Sequence, residues 1–295
     1  MRKVVVSGSS GLIGTELCRA LEGRGVDVLR LVRRPARGPG EYHWHPGTAE
    51  LDPAVLADAE AVVNLSGASI GRVPWTRSYR RELVQSRVQP VRALVRALAA
   101  LGEGAPHLVS ASAVGYYGDR PAEYLPESAG PGRTFLAGLC QRWEAEANVL
   151  RTGVSLLRTA PVLHPQALLK PLVPLARFGL LGPLGSGEQH WPWISLPDEV
   201  AAILHILDRR LLGPVNLAGP SSPTANQLCR ALAHRLHRPF ALPAPAWALR
   251  AVLGSEAADG LLLPDAHVLP AVLLETGFKF THPTAQAAMD SVLNR

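Results

Sequence analysis

Cysteine is scarce in this sequence, and its spacing excludes two classes of site. The 295 residues include three cysteines, Cys18, Cys140 and Cys229, which lie far apart in stretches typical of helices. Such an odd and scattered set forms neither a disulfide framework nor a metal site. We therefore expect no bound metal and a reducing, cytoplasmic environment.

Long apolar runs are also absent. Apolar residues make up 47% of the chain, but no uninterrupted stretch is long enough to span a bilayer. The valines that follow Arg2 and Lys3 stop at Ser7, too early for the apolar core of a signal peptide. These features predict a globular protein without a membrane partner.

Acidic residues are outnumbered, and the formal net charge is +6. Nearly all of the positive charge is arginine, because lysine occurs only at positions 3, 170 and 279. The basic clusters Arg33-Arg34 and Arg80-Arg81 are small and separated. This pattern favours an anionic small ligand or a solvated surface, and it ranks nucleic acid last among the partners.

Strand-like and helix-like segments alternate through the first half of the chain. Apolar runs predict strands at 4–6, 26–32, 61–65, 107–111 and 154–157. Amphipathic runs predict helices at 12–21, 77–101 and 134–150. This alternation predicts an α/β fold with a Rossmann-type, doubly wound parallel sheet, in which ligands bind beyond the carboxyl ends of the strands.

After Leu163 the sequence becomes rich in proline and glycine and then mostly helical. We predict a strand at Trp191–Ile194, a helix from Pro197 and a segment at 213–218 that returns to the sheet. The tail predicts helices at 224–236, 245–253, 255–263, 267–277 and 283–293. The expected domains are a nucleotide-binding domain at 1–164, completed by part of 190–218, and a smaller substrate-side region at 165–295. We expect a cleft between them.

The first strand runs directly into Gly8-Ser-Ser-Gly11-Leu-Ile-Gly14, where a helix begins. Gly8 permits a sharp turn, Gly11 leaves room for a phosphate, and Gly14 lets the helix lie close to the sheet. The helix N-terminus adds free N–H groups and a positive dipole. The motif predicts a dinucleotide pyrophosphate site, with a purely structural turn as the alternative. The predicted contacts are Gly8, Ser10, Gly11, Leu12, Ile13 and Gly14.

The second predicted strand ends with two arginines, Arg33 and Arg34. No carboxylate stands there to bind the ribose hydroxyls of NAD. Two guanidinium groups could instead hold a 2′-phosphate bidentately, which predicts NADP rather than NAD. A solvated strand end is the alternative.

A second turn of small residues follows the predicted strand at 61–65. It reads Asn64-Leu65-Ser66-Gly67. Small residues at this point would let the adenosine side of a dinucleotide pass close to the backbone. A tight turn without a ligand is the alternative.

Five motifs occur in one order along the chain: G-S-S-G-L-I-G, N-L-S-G, S-A-V-G-Y-Y-G (Ser112–Gly118), F-L-A-G-L-C-Q-R-W-E (Phe135–Glu144) and G-S-G-E-Q-H-W-P-W-I (Gly185–Ile194). Together they resemble the epimerase family within the atypical short-chain dehydrogenases/reductases, the group with the human 39U-type member. The tail, at about 243–293, resembles the domain of unknown function that accompanies this family. The resemblance covers essentially the whole chain.

The resemblance implies an extended Rossmann-type fold that binds NADP along the glycine-rich turn, Arg33, Leu65 and Ser66. Its further implied cofactor contacts are Glu82, Arg87, Pro161 and Val162. Without the resemblance, Glu82 and Arg87 would be interpreted as a surface ion pair on a helix. At 158–164 the chain reads R-T-A-P-V-L-H where the family usually has R-x-G-V-V-L-G, so two glycines are lost beside the nicotinamide.

The Tyr-x-x-x-Lys pair of extended short-chain dehydrogenases is absent. None of the five tyrosines has a lysine four positions later. The helix that should carry the pair presents Phe135, Leu136, Leu139 and Cys140 instead. Phenyl and aliphatic groups transfer no proton, and no lysine ammonium can lower the pKa of a tyrosine there.

Two hydroxyl groups remain as candidate catalytic groups. Ser112 ends the predicted strand before the S-A-V-G-Y-Y-G motif, at the position of the superfamily's hydroxyl donor. Tyr117 could polarise a carbonyl, but the sequence shows no cation to activate it. Packing or stacking is the alternative for Tyr117 and for its neighbour Tyr116.

Other polar and aromatic residues have weaker claims on the site. Asp119 and Glu123 could act as bases, or they could belong to a solvated loop. His190 lies in a segment that the family places near the cleft, although a lone histidine is more often structural. The tryptophans that could line the substrate side, or equally the core, are Trp75, Trp191 and Trp193.

These features predict an NADP-dependent oxidoreductase or epimerase-like enzyme. It would move a hydride between nicotinamide C4 and a small carbonyl or alcohol, with Ser112 and Tyr117 as polarising hydroxyls. The missing tyrosine–lysine pair supports a second hypothesis, a non-catalytic NADP-binding sensor or scaffold. The sequence indicates neither the substrate nor the oligomeric state.

Overall fold

Parallel strands form the centre of the molecule. The structure is a computed structural model that describes residues 3–150 and 153–293. Its strands are, in chain order, β1 (Lys3–Ser7), β2 (Asp27–Val32), β3 (Glu41–His43), β4 (Ala61–Asn64), β5 (His107–Ala113), β6 (Tyr124–Leu125), β7 (Val154–Thr159), β8 (Gly213–Leu217) and β9 (His267–Val268). Seven of them form one parallel sheet in the order β3-β2-β1-β4-β5-β7-β8, and β6 pairs with β9 outside it. The predicted Rossmann-type, doubly wound sheet is confirmed.

Helices cover both faces of this sheet and make up most of the C-terminal region, as predicted. They are α1 (Leu12–Gly23), α2 (Arg77–Ala100), α3 (Phe135–Ala147), α4 (Leu169–Arg177), α5 (Leu196–Arg209), α6 (Ala225–Arg235), α7 (Ala246–Leu253), α8 (Ser255–Leu261), α9 (Ala271–Glu275) and α10 (Ala285–Leu293). Hydroxyl groups cap the start of five of them by accepting a backbone N–H of the first turn: Thr76, Thr134, Ser195, Thr224 and Thr284. Within the described residues, no helix has the length and hydropathy needed to cross a membrane.

Two apolar cores hold the sheet between its helices. Val4 and Val6 of β1 pack in one core with α1 and α5, whereas Val5 packs in the other with α2 and α3. Side chains alternate between the two faces of a strand, so a central strand buried on both faces needs an unbroken apolar run. A third core joins α4, α6 and α10. Because the strands of the sheet are parallel, the loops after β1, β2, β4, β5 and β7 all lie at its carboxyl edge.

Four short elements differ from the sequence prediction. The segment at Trp191–Ile194 forms no strand, and an isolated bridge between Val162 and Ile194 joins it to the chain after β7. The predicted helix at 267–277 is divided, because Pro270 separates β9 from the short α9. The sequence does not predict β3 or β6, since strands of three and two residues carry too little alternation to recognise.

Candidate functional site

The turn between β1 and α1 brings backbone directly against backbone. Gly8 has a φ of +73°, and a Cβ there would lie 2.5 Å from the carbonyl oxygen of Leu65. A Cβ on Gly14 would lie 2.3 Å from the carbonyl oxygen of Gly8. Gly11 begins α1 without a side-chain cap, so the helix N-terminus is open to an anion. The other predicted contacts of this turn are the exposed Ser10 and the half-buried Leu12 and Ile13.

The two arginines after β2 have different surroundings. Arg34 forms a bidentate ion pair with Glu41 of β3, with N–O distances of 2.7 and 2.5 Å. The hydrogen bond from Arg34 is the main reason that the pKa of Glu41 falls to about 2. Arg33 is exposed and has no hydrogen bond or ion pair within the described part of the chain. Glu41 therefore engages part of the Arg34 guanidinium group, whereas Arg33 is the more available of the two arginines for the predicted role at a 2′-phosphate.

Asn64 ends β4 with its side chain buried beside this turn. Its Oδ1 accepts hydrogen bonds from Ser7 Oγ at 2.6 Å and from the Ser66 N–H at 3.3 Å. Ser66 Oγ in turn donates to Ser7 Oγ at 3.1 Å. The Nδ2 of Asn64 has no partner among the residues described. These bonds hold the turn through Leu65 and Gly67 against the glycine-rich turn at 8–14. The two turns that the sequence predicts as cofactor contacts therefore lie next to each other.

Arg87 of α2 binds the backbone of the turn after β4. Its Nη2 donates to the Ala68 carbonyl at 2.9 Å, and its Nη1 donates to the Leu83 carbonyl at 3.0 Å. Burial lowers the pKa of Arg87, and no carboxylate compensates it within the described residues. The exposed Glu82 does not pair with it, so the surface ion pair considered from the sequence does not form. A Cβ on Gly67 would lie 3.2 Å from this guanidinium carbon.

The turn after β7 is held by the segment around Ile194. The Ile194 N–H donates to the Pro161 carbonyl at 3.2 Å, and the Leu163 N–H donates to the Ile194 carbonyl at 2.7 Å. Pro161 is exposed at the carboxyl edge of the sheet, and Val162 is buried. The backbone path is thus fixed by pairing with a distant segment although the two glycines usual in the family are missing.

Ser112 lies at the end of β5 with its hydroxyl directed into the protein. Ser112 Oγ donates to Glu144 Oε1 at 2.7 Å. Glu144, on α3, also receives two hydrogen bonds of 2.9 Å from Arg158 of β7. All three residues are buried. Because the serine proton is directed to a carboxylate, Ser112 can accept a hydrogen bond from a ligand but has no proton left to donate.

Tyr117 belongs to the same buried network. Its hydroxyl donates to Asn216 Oδ1 at 2.7 Å and accepts from Arg158 Nη1 at 3.0 Å. The side chain is 0% exposed, and burial raises its pKa to about 12 even though Arg158 opposes the shift. The sequence prediction missed this cation, although it stands at the end of a predicted strand. The predicted catalytic role of Tyr117 does not fit a hydroxyl that is satisfied in the core.

Comparison with known proteins agrees with the fold and the order of the motifs. Residues 4–134 match the model of the NAD dependent epimerase/dehydratase family, and residues 244–292 match a domain of unknown function, DUF1731. An epimerase family protein of Mycobacterium leprae is 39% identical over 297 residues, covering 99% of this chain and 96% of that protein. The human epimerase family protein SDR39U1 is 32% identical over 304 residues, covering 99% of both chains. The chain belongs to the epimerase family.

Solved structures of related proteins show the same architecture. The crystal structure of human SDR39U1 with NADPH superposes with a TM-score of 0.89 at 28% identity, covering 99% of both chains. A nucleoside-diphosphate sugar epimerase from Corynebacterium glutamicum gives a TM-score of 0.78 at 28% identity, covering 99% of this chain and 58% of that one. The resemblance of the five motifs to this family is thus confirmed along the whole chain.

For a member of the epimerase family, α3 is the helix expected to carry a proton donor. Leu139 and Cys140 are buried there, and Phe135 stacks near Trp75 at a centroid distance of 5.6 Å. Burial raises the pKa of the Cys140 thiol to about 12, so it does not replace the missing tyrosine. The half-buried Tyr116, in the turn after β5, packs against the same apolar cluster as these α3 residues.

The other polar candidates of this family member are bound in structural contacts. Asp119 accepts the N–H of Asp265 at 2.8 Å, and Glu123 pairs with Arg120. His190 Nδ1 lies 2.9 Å from Asp265 Oδ1. Each of these side chains thus has a partner in the loop or segment around it, and its role as a base stays a prediction.

The three tryptophans considered for the substrate side are all buried. Their indole N–H groups donate to backbone carbonyls at 2.9–3.0 Å: Trp75 to Ile70, Trp191 to Leu262 and Trp193 to Ser221. Trp191 and Trp193 belong to the third core. Among the described residues, no group of His, Cys, Asp or Glu side chains could hold a metal ion.

Proposed function

We propose that this protein binds NADP and moves a hydride between nicotinamide C4 and a small alcohol or carbonyl compound. The observation that carries the proposal is Arg33, which follows β2 and has no ion pair among the described residues, on the strand next to the one that leads into the backbone cradle at Gly8 and Gly14. Two anionic groups of NADP find partners here. The N-terminus of α1 suits the pyrophosphate, and the guanidinium group of Arg33 suits the 2′-phosphate. The human relative crystallised with NADPH supports the same assignment.

Bound NADP would supply or accept the hydride, and the chain would orient the substrate. Ser112 would accept a hydrogen bond from a substrate hydroxyl, because its own proton is directed to Glu144, and the proton that accompanies the hydride would be exchanged with solvent water. Arg158 would hold Glu144, and so Ser112, in one orientation through its bidentate pair. The cysteines are free and buried, which agrees with the reducing cytoplasm that we propose as its compartment.

The cofactor assignment is tested by calorimetric titration with NADPH and with NADH. Arg33→Ala should weaken NADPH binding about ten- to a hundred-fold, the effect of losing a charge-assisted hydrogen bond, and should leave NADH binding nearly unchanged. Arg34→Ala is the matched control, since its guanidinium already pairs with Glu41. If neither coenzyme gives binding heat with the wild type, the assignment is wrong. Equal affinities for both would leave NADP specificity without support.

A second candidate function is a non-catalytic NADP-binding sensor or scaffold. The observation that favours it is the buried network that engages both predicted catalytic hydroxyls, Ser112 and Tyr117. NADPH absorbance, followed with a panel of small aldehydes, ketones and alcohols, separates the two functions. Turnover that Ser112→Ala reduces would support the enzyme. Unchanged absorbance with every compound, combined with NADP-dependent protection in limited proteolysis, would favour the sensor.

A further inference from the structure

The C-terminal region carries an exposed apolar surface, which consists of Phe178, Leu180, Leu242 and Trp247. Their exposed fractions are 80%, 53%, 55% and 72%. Single apolar side chains are often exposed, but a group of large ones on neighbouring segments usually marks a place where another surface docks. No described element covers this group.

Backbone contacts make this apolar surface continuous. Residues 178–184 run beside 239–244, and the Ala241 N–H donates to the Leu181 carbonyl at 3.2 Å. The helix α7 follows directly, and none of its residues is buried. The chain reaches α7 through Ala244, which is bridged to Leu184, so the exposed Trp247 lies a few residues beyond the two extended segments.

Charges of both signs lie around the apolar surface, but the carboxylates of the neighbouring helices are paired: Asp259 with Arg250 of α7, and Asp290 with Arg235 of α6. The segments 178–184 and 239–247, which carry the surface, contain no Asp or Glu. Arg177 and Arg238 stand next to it in sequence, are exposed, and have no ion pair within the described part of the chain. Unpaired cations beside exposed aromatic side chains attract an anionic partner that also offers apolar contact.

We propose that this surface binds an anionic lipid bilayer peripherally, with Phe178, Leu180 and Trp247 entering the boundary between headgroups and acyl chains. Aromatic and aliphatic side chains flanked by arginine are characteristic of such interfacial contact. A second copy of the chain fits less well, because a two-fold contact would bring the arginines Arg177 and Arg238 of both copies to one interface, where the nearby carboxylates already have arginine partners. The proposal departs from the sequence-based expectation of no membrane partner.

Co-sedimentation of the full chain with phosphatidylcholine vesicles, with and without phosphatidylglycerol, tests the proposal. We expect binding only to the anionic vesicles, and weaker binding as salt is raised. Arg177→Gln with Arg238→Gln should lower partitioning about thirty-fold, since each arginine near an anionic surface contributes about five-fold. Phe178→Ser with Leu180→Ser should lower it by more than about ten-fold.

The matched control is Arg96→Gln with Arg209→Gln, which removes two exposed arginines near the ends of α2 and α5 that form no ion pair with any residue the structure describes. It changes the net charge equally and should bind like the wild type. Absence of binding to anionic vesicles, or equal loss in this control, would overturn the proposal. Full binding of the vesicles by Phe178→Ser with Leu180→Ser would also overturn the proposal. Charge alone would then suffice for binding, and an acidic protein could serve as the partner equally well. Light scattering separates the remaining alternative. If the wild type binds no vesicles but forms a dimer, and Phe178→Ser with Leu180→Ser abolishes that dimer, the surface binds a second copy of the chain instead.

Discussion

Replacing Glu199 with glutamine should make the stability of the protein less dependent on pH between 5 and 7. Glu199 lies in the first turn of α5 and is 0% exposed. Its Oε1 accepts a hydrogen bond from Thr159 Oγ1 at 2.9 Å, and its Oε2 has no partner among the described residues. Burial raises the pKa of this carboxyl from 4.5 to about 8, against the smaller opposing effect of the Thr159 bond. Glu199 is therefore mostly neutral in the folded protein at pH 7 and ionised in the unfolded chain.

The direction and size of the effect follow from this difference in pKa. The folded pKa exceeds the unfolded one, so the contribution of Glu199 is fully present below about pH 4.5 and is lost as the pH rises towards 8. Within this window each pH unit lowers the free energy of unfolding by up to about 1.4 kcal/mol. From pH 5 to 7, the wild type should lose about 2–3 kcal/mol relative to Glu199→Gln. Glutamine keeps an oxygen that can accept the hydrogen bond of the Thr159 hydroxyl. Any remaining effect of the substitution on the free energy of unfolding that does not depend on pH cancels when the values at pH 5 and pH 7 are compared.

Urea unfolding followed by tryptophan fluorescence at pH 5, 6 and 7 measures this difference. The control is Glu82→Gln, which replaces an exposed carboxylate and should reproduce the wild-type profile. A difference between wild type and Glu199→Gln that stays constant across the three pH values would refute a neutral, buried Glu199. A difference that changes in the opposite direction would mean that the folded state holds the carboxylate ionised.

Three further substitutions test other parts of the structure. Arg158→Met should lower the free energy of unfolding by about 3–5 kcal/mol in urea titration, because it strands the buried Glu144 carboxylate; a loss below about 1 kcal/mol would contradict the pairing. Gly8→Ala, with φ at +73° and backbone 2.5 Å away, should cost about 1–3 kcal/mol and abolish calorimetric NADPH binding, whereas Gly23→Ala, in open space, should leave both intact. Tyr117→Phe should cost about 1–3 kcal/mol, and an unchanged melting temperature would show that its hydroxyl is not held in the core.

The main sheet is predictable because its strands are apolar and long. Val4-Val5-Val6 is buried on both faces, so its sequence shows both the strand and its central position. The segment at Trp191–Ile194 misleads for the same reason, since it is largely apolar and buried. Its tryptophans pack in the third core and Ile194 packs in the core of α1 and α5, with an isolated bridge in place of a ladder. Apolar character reports burial, and it indicates a strand only where a neighbouring strand supplies hydrogen bonds.

The candidate site is predictable where function depends on the backbone. Gly8 and Gly14 are identified by spacing alone, because their lack of a side chain is the feature that matters. The sequence treats Arg33 and Arg34 alike, and they differ only because β3, a strand of three residues, places Glu41 beside Arg34. Local pattern predicts where a guanidinium stands along the chain but not which carboxylate reaches it.

The alternation of strands and helices along the chain, the glycine-rich turn and the absence of the tyrosine–lysine pair were determined by the sequence itself, because each depends on residues that are neighbours along the chain. Only the tertiary structure decided which polar groups stay free. Arg158 and Tyr117 are 41 residues apart, and Tyr117 and Asn216 are 99 apart, yet they share one buried network. A hydrogen bond needs its partners within about 3 Å in space, and distance along the chain does not specify that.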